Sequence, residues 1–360
     1  MRPRNEPDLL CRDDGNMKRE NENRVVYVVG NPRSGTTMLG LMLHKHSMVY
    51  TFLELHFFDR MWDPRDEHRP LSHQRAVELA RRLAAPAKRW PEEKRSFFGN
   101  PVYNADVVDV SSPNRLSPLA VYATFLRINT LKHGRTIPCE QTPNYVFYLP
   151  EILEFFPQAR VVNIVRDPRD VLLSQKRRWS RYYHAPGEIT RTEAMRVWAN
   201  YHPIKSSLLW QVAIKQALRF EGHPRVHNVR FEDILANPER EVESICSFIG
   251  ITYRPEMLDI PMRGSSLVAD REGERGIDKS RRGQWRDGGL NAAEQFLCQR
   301  INRSLMTKFL YPPEKSPPSL LLLVGYMCTL PVKLMMTFMM HVWTFKNLVD
   351  AVRRRLFSWT

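Results

Sequence analysis

The stretch Val25-Val-Tyr-Val-Val-Gly-Asn-Pro-Arg-Ser-Gly-Thr-Thr37 decides the fold of this 360-residue chain. An apolar run rich in β-branched residues ends at Gly30, and an apolar, helix-like pattern begins at Thr37. The stretch therefore predicts a strand, a loop and a helix in succession. When such units repeat along a chain, they predict a parallel sheet that is covered by helices on both faces.

Two later segments repeat this pattern. The apolar run at 159–165 is followed by a turn and a helix-like sequence, and the run at 226–231 precedes a helix that is predicted to end at Ile249. The predicted fold is an α/β three-layer sandwich with a central parallel β-sheet, in one domain over residues 24–312. Residues 64–134 fit the alternation poorly, and we interpret them as an insert of the kind that forms lids or acceptor sites.

Composition narrows the classes of partner. The chain has 54 Lys and Arg against 39 Asp and Glu, a formal net charge of +15, which favours anionic partners. No nucleic-acid-reading motif is recognised, so nucleic acid is not predicted as a partner.

The five cysteines show no disulfide or metal-ligand spacing and indicate thiols in a reducing compartment. Residues 1–23 are polar, without the apolar core of a signal peptide, and predict a disordered, cytoplasmic lead-in.

The loop Gly30–Thr37 has the form of a phosphate loop, GxxxxGK[ST], in which backbone N–H groups and a helix N-terminus surround an anion. Thr36 stands where an ATP-hydrolysing enzyme has its lysine, and the nearest cation is Arg33 inside the loop. The loop is therefore predicted to hold phosphate without hydrolysing ATP. A P-loop nucleotide kinase, the alternative on this fold, would be expected to carry that lysine. The local alternative is that Thr36 simply caps a helix.

The sequence Pro-Arg-Ser-Gly-Thr-Thr is very similar to the 5′-phosphosulfate-binding loop of sulfotransferases that use 3′-phosphoadenosine 5′-phosphosulfate (PAPS). The resemblance covers roughly residues 24–310. It implies a P-loop NTPase-like fold, PAPS as co-substrate, adenosine 3′,5′-bisphosphate as product, and no metal. It also implies that Arg33 neutralises charge on the bridging oxygen, and that the loop binds PAPS through Arg33, Ser34, Gly35, Thr36 and Thr37.

A second segment, Ile164-Val-Arg-Asp-Pro-Arg-Asp-Val-Leu-Leu-Ser174, resembles the element of this family that binds the 3′-phosphate. The resemblance implies a bidentate, charge-assisted contact from Arg166 and a neutral hydrogen bond from Ser174. The alternative interpretation is a helix that is capped by Asp167, with Arg166 as a surface charge.

A third segment, Lys279-Ser-Arg-Arg-Gly-Gln-Trp-Arg286, resembles the basic Gly-x-Trp loop that closes over the nucleotide in these enzymes. The resemblance implies phosphate contacts from Arg281 and Arg282, with Lys279 behind them. The alternative is a solvated basic loop in which Trp285 packs on the core.

The stretch Phe52-Leu-Glu-Leu-His-Phe-Phe-Asp59 supplies a candidate base. Side chains two apart on an extended segment share a face, so Glu54 and His56 are predicted to lie together. The stretch is similar to the Glu-x-His-Phe-Phe segment of heparan sulfate 3-O-sulfotransferases and several bacterial sulfotransferases. That resemblance implies that Glu54 removes the proton of the acceptor hydroxyl and that His56 supports it or positions the acceptor. The alternative is a structural ion pair.

The sequence departs from the carbohydrate sulfotransferases at Glu140-Gln-Thr-Pro143, where those enzymes have Glu-Lys-Thr-Pro. Either Arg33 stabilises the reacting charge alone, or the acceptor is not a glycosaminoglycan. Thr142 and Asn144 are predicted to line the site. The predicted acceptor is a hydroxyl group on a carbohydrate, a glycolipid or a lipid alcohol.

Residues 319–360 form an apolar and basic C-terminal extension. Pro331 and Lys333 divide its apolar part, 319–348, into runs shorter than the ~20 residues of a spanning helix. Cations and aromatics follow at 353–359, which is typical of peripheral membrane anchors. The alternative is a pair of helices in the core or in a dimer interface. A non-catalytic, nucleotide-binding membrane protein would share these features, but it would not need Glu54.

Overall fold

Five parallel strands form the centre of the protein, in the order β2-β3-β1-β4-β5. The computed structural model describes residues 24–66, 69–86, 98, 101–106, 117–184, 191–262, 274–341 and 347–356, so the predicted lead-in lies outside it. The strands are β1 Val26–Gly30, β2 Val49–Phe52, β3 Ile137–Glu140, β4 Arg160–Val165 and β5 Val226–Arg230. The predicted α/β fold with an all-parallel sheet is confirmed.

Helices flank the sheet. In the described ranges they are α1 Thr36–His44, α2 Phe57–Arg60, α3 His73–Ala84, α4 Pro118–Lys132, α5 Leu149–Phe155, α6 Pro168–His184, α7 Arg191–Asn200, α8 Pro203–Leu218, α9 Phe231–Ala236, α10 Pro238–Ile249, α11 Ala292–Lys308, α12 Leu320–His341 and α13 Leu348–Leu356. Short 3₁₀ turns lie at Pro64–Asp66, Pro143–Tyr148, Pro255–Leu258, Lys279–Arg281 and Gln284–Asp287.

Strand β1 shows why the sheet is buried on both faces. Its residues are all buried, and alternate side chains enter different apolar clusters. Tyr27 and Val29 join the cluster that contains residues of α4 and α8. Val26 and Val28 join the cluster that contains residues of α1 and α10. A continuous apolar run is what such a doubly covered strand requires.

The described part of the insert contributes side chains to the hydrophobic core. Leu79 and Leu83 on α3 and Tyr122 and Phe125 on α4 are buried in the same cluster as Tyr27. Helix α4 precedes β3, a strand that lies between β2 and β1. The insert is therefore partly structural, and its lid or acceptor role stays a prediction.

The C-terminal extension corrects one prediction. Pro331 does not divide the apolar segment, because α12 is a single helix of 22 residues that continues through it. A proline in a helix removes one N–H and hence one backbone hydrogen bond, and contacts of α12 with the domain accompany this loss. At 1.5 Å per residue the helix is about 33 Å long, which is enough to cross a membrane by length and composition alone. It is exposed, so the core-helix alternative does not describe it.

Candidate active site

The phosphate loop follows β1 in a conformation that its glycines permit. Gly35 is the N-cap residue of α1 with a φ of 103° and no side-chain cap, so Thr36 does not cap the helix. A Cβ on Gly35 would collide with the Phe231 ring, and Arg33 also has a positive φ of 81°. No acidic residue lies in the first turn of α1. The first N–H groups of the helix therefore have no partner within the helix and no side-chain cap, as an anion site requires.

Side chains of the loop add polar groups to this site. Arg33 Nε donates to Ser174 Oγ at 3.0 Å, so residues that were predicted at opposite ends of the donor are in direct contact. Ser34 is fully buried, and its Oγ has no hydrogen-bond partner among the described residues. Thr36 is buried and Thr37 is half-buried at the start of α1. A buried hydroxyl without a partner is costly, and an anion in the loop would supply one.

Arg166 joins the three predicted donor elements. It follows β4, is only 5% exposed, and stacks over Phe231 with its Cζ 4.5 Å from the ring centroid. Its guanidinium donates to the carbonyl oxygen of Arg33 at 3.2 Å and to that of Arg281 at 2.9 Å. Asp167 does cap α6, accepting from the Arg169 N–H at 2.9 Å. The cap prediction is thus confirmed, but the surface-charge interpretation of Arg166 is wrong.

The 279–286 loop is fixed to α6 by its backbone. Asp170 accepts hydrogen bonds from the N–H groups of Gly283 at 2.8 Å and Trp285 at 3.0 Å. Trp285 is buried, and the guanidinium groups of Arg169 and Arg286 lie over its ring. The proposed core packing of Trp285 is therefore correct, and it coexists with a loop that reaches Arg166.

The basic side chains of this loop are placed differently from one another. Arg281 is half-buried, and its Nε donates to Asp278 at 3.1 Å. Arg282 and Lys279 are exposed. The structure thus brings the backbone of Arg281 to Arg166, while the side chains of Arg282 and Lys279 point to solvent.

Glu54, His56 and Asp59 form a continuous polar chain beyond β2. His56 Nε2 lies 3.3 Å from Glu54 Oε2, and His56 Nδ1 lies 3.1 Å from Asp59 Oδ2. Asn144 donates to the same Asp59 oxygen at 3.2 Å. The segment is not a strand here, because β2 ends at Phe52 and His56 has a left-handed φ of 56° before α2. The predicted proximity of Glu54 and His56 arises from this turn.

The charged groups of this polar chain stabilise one another in their ionised forms. Burial lowers the pKa of His56, but Asp59 and Glu54 outweigh it and raise the value to about 9. Burial raises the pKa of Glu54, but the hydrogen bond and charge of His56, with Arg178 and Arg60, bring it below its ordinary value. At neutral pH the cluster is therefore an imidazolium ion between two carboxylates. The Glu54 side chain is 28% exposed, against 1% for Asp59, so Glu54 is the carboxylate that solvent reaches.

Glu140 holds the segment that carries Glu54. It is buried at the end of β3, and burial raises its pKa to about 8. Its Oε1 accepts from the Leu55 N–H at 3.0 Å and from Thr142 Oγ1 at 2.6 Å. The neighbouring Gln141 is also buried, and its amide has no hydrogen-bond partner within the described part of the chain. Gln141, which replaces the lysine of the related motif, thus belongs to the interior.

Three residues of the site, Asp59, Glu140 and Asp170, were given no role by the sequence. Asn144 was predicted to line the site, but its contact with Asp59 was not predicted. Asp59 had a weak signal, since residues three apart at a helix start lie close together. Asp170 and Glu140 bind backbone N–H groups of distant segments, for which one sequence offers no pattern.

Comparison with known proteins gives the family. A model described as "Sulfotransferase family" matches residues 26–255. The chain is 27% identical over 136 residues to a "3-beta-hydroxysteroid sulfotransferase" of Cavia porcellus, a match that covers 36% of this chain and 46% of that protein. It is also 28% identical over 153 residues to an "Uncharacterized protein" of Aquifex aeolicus, covering 42% of this chain and 16% of that one. The chain thus spans less than half the length of these curated relatives.

Solved structures with similarity include two sulfotransferase domains. One is from the Synechococcus PCC 7002 olefin synthase, with 24% identity, a TM-score of 0.46, and coverage of 79% of this chain and 95% of that one. The other is from the curacin biosynthetic pathway, with 22% identity, a TM-score of 0.43, and coverage of 78% and 96%. The family match covers more than half of the chain and includes the phosphate loop, Arg166 and the polar chain at Glu54. This protein therefore belongs to the sulfotransferase family.

Proposed function

We propose that this protein transfers a sulfuryl group from PAPS to a hydroxyl group of a carbohydrate, glycolipid or lipid alcohol. The observation that carries the proposal is the position of Arg166, which ties the phosphate loop to the 279–286 loop beside the buried hydroxyl of Ser34. Family membership supports the transfer of a sulfuryl group. The proposed place of action is the cytoplasmic surface of a membrane, since α12 is apolar and exposed.

The residues of the donor site fit a ligand with two anionic ends. The N–H groups of the phosphate loop, the Ser34 hydroxyl and Arg33 would hold the 5′-phosphosulfate. Arg166, Ser174 and the loop that carries Arg281 and Arg282 would hold the 3′-phosphate. When bound, PAPS supplies a sulfuryl group on a phosphate leaving group.

Arg33 and the loop amides would stabilise the leaving phosphate. The loop holds them in place before any ligand arrives, because Arg33 is fixed by its contact with Ser174 and by the left-handed turn at its own position. Preorganised donors of this kind lower a barrier without reorganising during the reaction. Since Gln141 brings no cation to the end of β3, this charge stabilisation is assigned to Arg33.

Glu54 is the proposed general base. It is ionised at neutral pH because its pKa is lowered, and it is more exposed than Asp59. As the acceptor oxygen bonds to sulfur, the bond from sulfur to the phosphate oxygen breaks and the hydroxyl proton passes to Glu54. His56 orients the Glu54 carboxylate from one side, and Asp59 and Asn144 orient His56 from the other.

The proposal of a hydroxyl acceptor rests on the chemistry of a carboxylate base and not on the shape of an acceptor pocket. A carboxylate base suits an alcohol, which must lose a proton as it attacks. The relative from Cavia porcellus is named for a hydroxysteroid, an acceptor of this kind. The steroid itself is not assigned to this chain.

Calorimetric titration tests the donor site directly. We expect adenosine 3′,5′-bisphosphate to bind and ATP with Mg²⁺ to bind much more weakly. Arg166→Ala should weaken bisphosphate binding by roughly 100-fold, because it removes charge-assisted hydrogen bonds from a buried position. Arg160→Ala, at the opposite end of the same strand, is the matched control and should bind like the unmodified protein. Preferential binding of ATP, or equal affinities for the two variants, would overturn the proposal.

A further inference from the structure

The polar side chains of α12 form one stripe that faces the domain. Tyr326, Thr329, Lys333 and Thr337 recur every three or four residues, which places them on one side of a helix. Lys333 Nζ donates to the carbonyl oxygen of Trp198 at 3.2 Å, and the Thr337 hydroxyl lies 3.2 Å from that of Ala199 and 2.8 Å from that of Lys333. Near the other end, the Tyr326 hydroxyl accepts from Asn291 Nδ2 at 2.8 Å.

The contacts of Lys333 and Thr337 lie at the C-terminal end of α7. Helix α7 ends at Asn200, and the carbonyl groups of its last turn have no partners within the helix. Lys333 supplies a second donor to one of them, the carbonyl of Trp198, which also accepts from the Tyr201 N–H. A lysine is electrostatically favourable at a helix C-terminus. The orientation of α12 about its own axis is thus fixed by polar contacts.

The outward face of α12 is apolar. Its most exposed side chains include Leu321 at 80%, Met339 at 66%, Met335 at 58% and Phe338 at 54%. Trp198 on the adjoining α7 is also exposed, with 42% of its area accessible, and Lys333 Nζ lies over its ring. An amphipathic helix in water normally turns its apolar side inward, and α12 does the reverse. A contiguous apolar surface of this kind indicates an interface.

We infer that α12 lies flat in the surface of a lipid bilayer, with its polar stripe on the domain and its apolar face among the acyl chains. This inference extends the proposed membrane association and does not depend on the transfer chemistry. Such an orientation is that of an in-plane anchor rather than a spanning helix.

Both ends of α12 are held on the same domain. Before the helix, Ser316 donates to Gln295 on α11 at 2.8 Å. After it, Asn347 donates to Asp63 at 3.1 Å, and Arg354 on α13 pairs with Glu151 at 2.6 Å. A spanning helix must place its ends on opposite sides of about 30 Å of hydrocarbon. Helix α12 cannot do so while both flanks remain docked.

Charge favours a bilayer over a second copy of the chain. The sequence contains no Asp or Glu from Lys315 to Val349, whereas Lys315 and Lys346 lie within this stretch and the exposed Arg353 follows it. Anionic headgroups complement such a surface, and basic residues beside an apolar helix bind them. Two copies that met through α12 would instead bring like charges together.

Vesicle flotation of the full-length protein tests the inference. We expect binding to vesicles of phosphatidylcholine with phosphatidylserine, and weaker binding to phosphatidylcholine alone. The double variant Met335→Ser/Phe338→Ser should bind the anionic vesicles at least roughly tenfold more weakly, because two exposed apolar side chains are lost from the buried face. Leu131→Ser is the matched control, an exposed leucine on α4 that should have no effect. Absence of vesicle binding, or equal loss in both variants, would overturn the inference.

Two further measurements separate the alternatives. A tag after Thr360 should stay accessible to protease outside intact vesicles, because an in-plane helix leaves both flanks on one side. Protection of that tag would show a spanning helix and refute the in-plane orientation. Light scattering should show the same mass for the protein and the double variant. A dimer that the double variant dissociates, without vesicle binding, would assign the apolar face to a second copy. In every case bisphosphate binding reports separately on the proposed enzyme.

Discussion

The proposed donor half of the site and the proposed base half are built by different means. In the donor half, the Arg166 guanidinium joins main-chain groups of two loops, because it donates to the carbonyl oxygens of Arg33 and Arg281. In the base half they are side chains, and Glu54 is oriented by His56, which is oriented by Asp59. The comparison predicts that substitutions in the two halves will affect different measurements.

Glu54→Gln should have the largest effect. The amide cannot accept the hydroxyl proton, so we expect kcat to fall by roughly 1000-fold. Bisphosphate affinity should be unchanged, because the ion pair that the structure describes for Glu54 is with His56 and not with the phosphate loop. The measurement is transfer of labelled sulfuryl groups from PAPS to the acceptor that a screen of hydroxyl compounds identifies.

Glu243→Gln on α10 is the control for this test, since Glu243 is an exposed glutamate away from the polar chain. If Glu54→Gln kept most of the turnover, the assignment of the base would be wrong. If it weakened bisphosphate binding as strongly as turnover, the two halves would not be separable.

The charge of His56 should stabilise the fold in a pH-dependent way. Its pKa rises from 6.5 to about 9 in the folded protein, so the stabilisation is complete below pH 6.5 and is lost as pH rises through 9. The contribution is at most about 3 kcal/mol, from the size of the pKa shift. We expect urea unfolding to show a large stability difference between the protein and His56→Asn at pH 6.5 and a small one above pH 9.

Asparagine suits this comparison because it accepts a left-handed backbone but cannot become charged. A stability difference that did not change between these pH values would show that His56 acts only by packing. Donor binding by the same variant should be unaffected at pH 6.5.

Asp170→Ala should have the smallest effect of the three. It removes the acceptor for two N–H groups of the 279–286 loop, so we expect bisphosphate affinity to fall by roughly tenfold. Turnover at saturating donor should change little, since the base half is intact. Asp287→Ala, an exposed aspartate of the same loop, is the control for calorimetry. Equal affinities would show that Asp170 is not needed to hold the loop.

The donor half was largely predictable because its signals are local. Strands β1, β4 and β5 are apolar runs, and the turns after β1 and β4 carry Arg33 and Arg166 within a few residues. The glycine at 35 also follows from local geometry, since a left-handed turn at that point favours it. The contact between Arg33 and Ser174 was not predicted, because it depends on how α6 leaves the sheet.

The base half was less predictable because its partners are distant in sequence. Strands β2 and β3 have only four residues each, and β3 contains Pro138 and Glu140, which are unusual in a strand. Glu140 reaches Leu55 across 85 positions, and Asn144 reaches Asp59 across 85. The continuity of α12 was missed for a different reason, since proline is tolerated where the domain supports the surrounding helix.

The position of Arg166 also bears on how the protein is made. Its carbonyl partners lie 133 positions earlier and 115 positions later in the chain. Contacts of such long sequence separation form late and slow a folding reaction. During synthesis, a chain that has not yet emerged beyond Trp285 lacks one side of the proposed donor site. If the protein binds PAPS as proposed, nucleotide binding would therefore require that nearly the whole domain has been translated and folded.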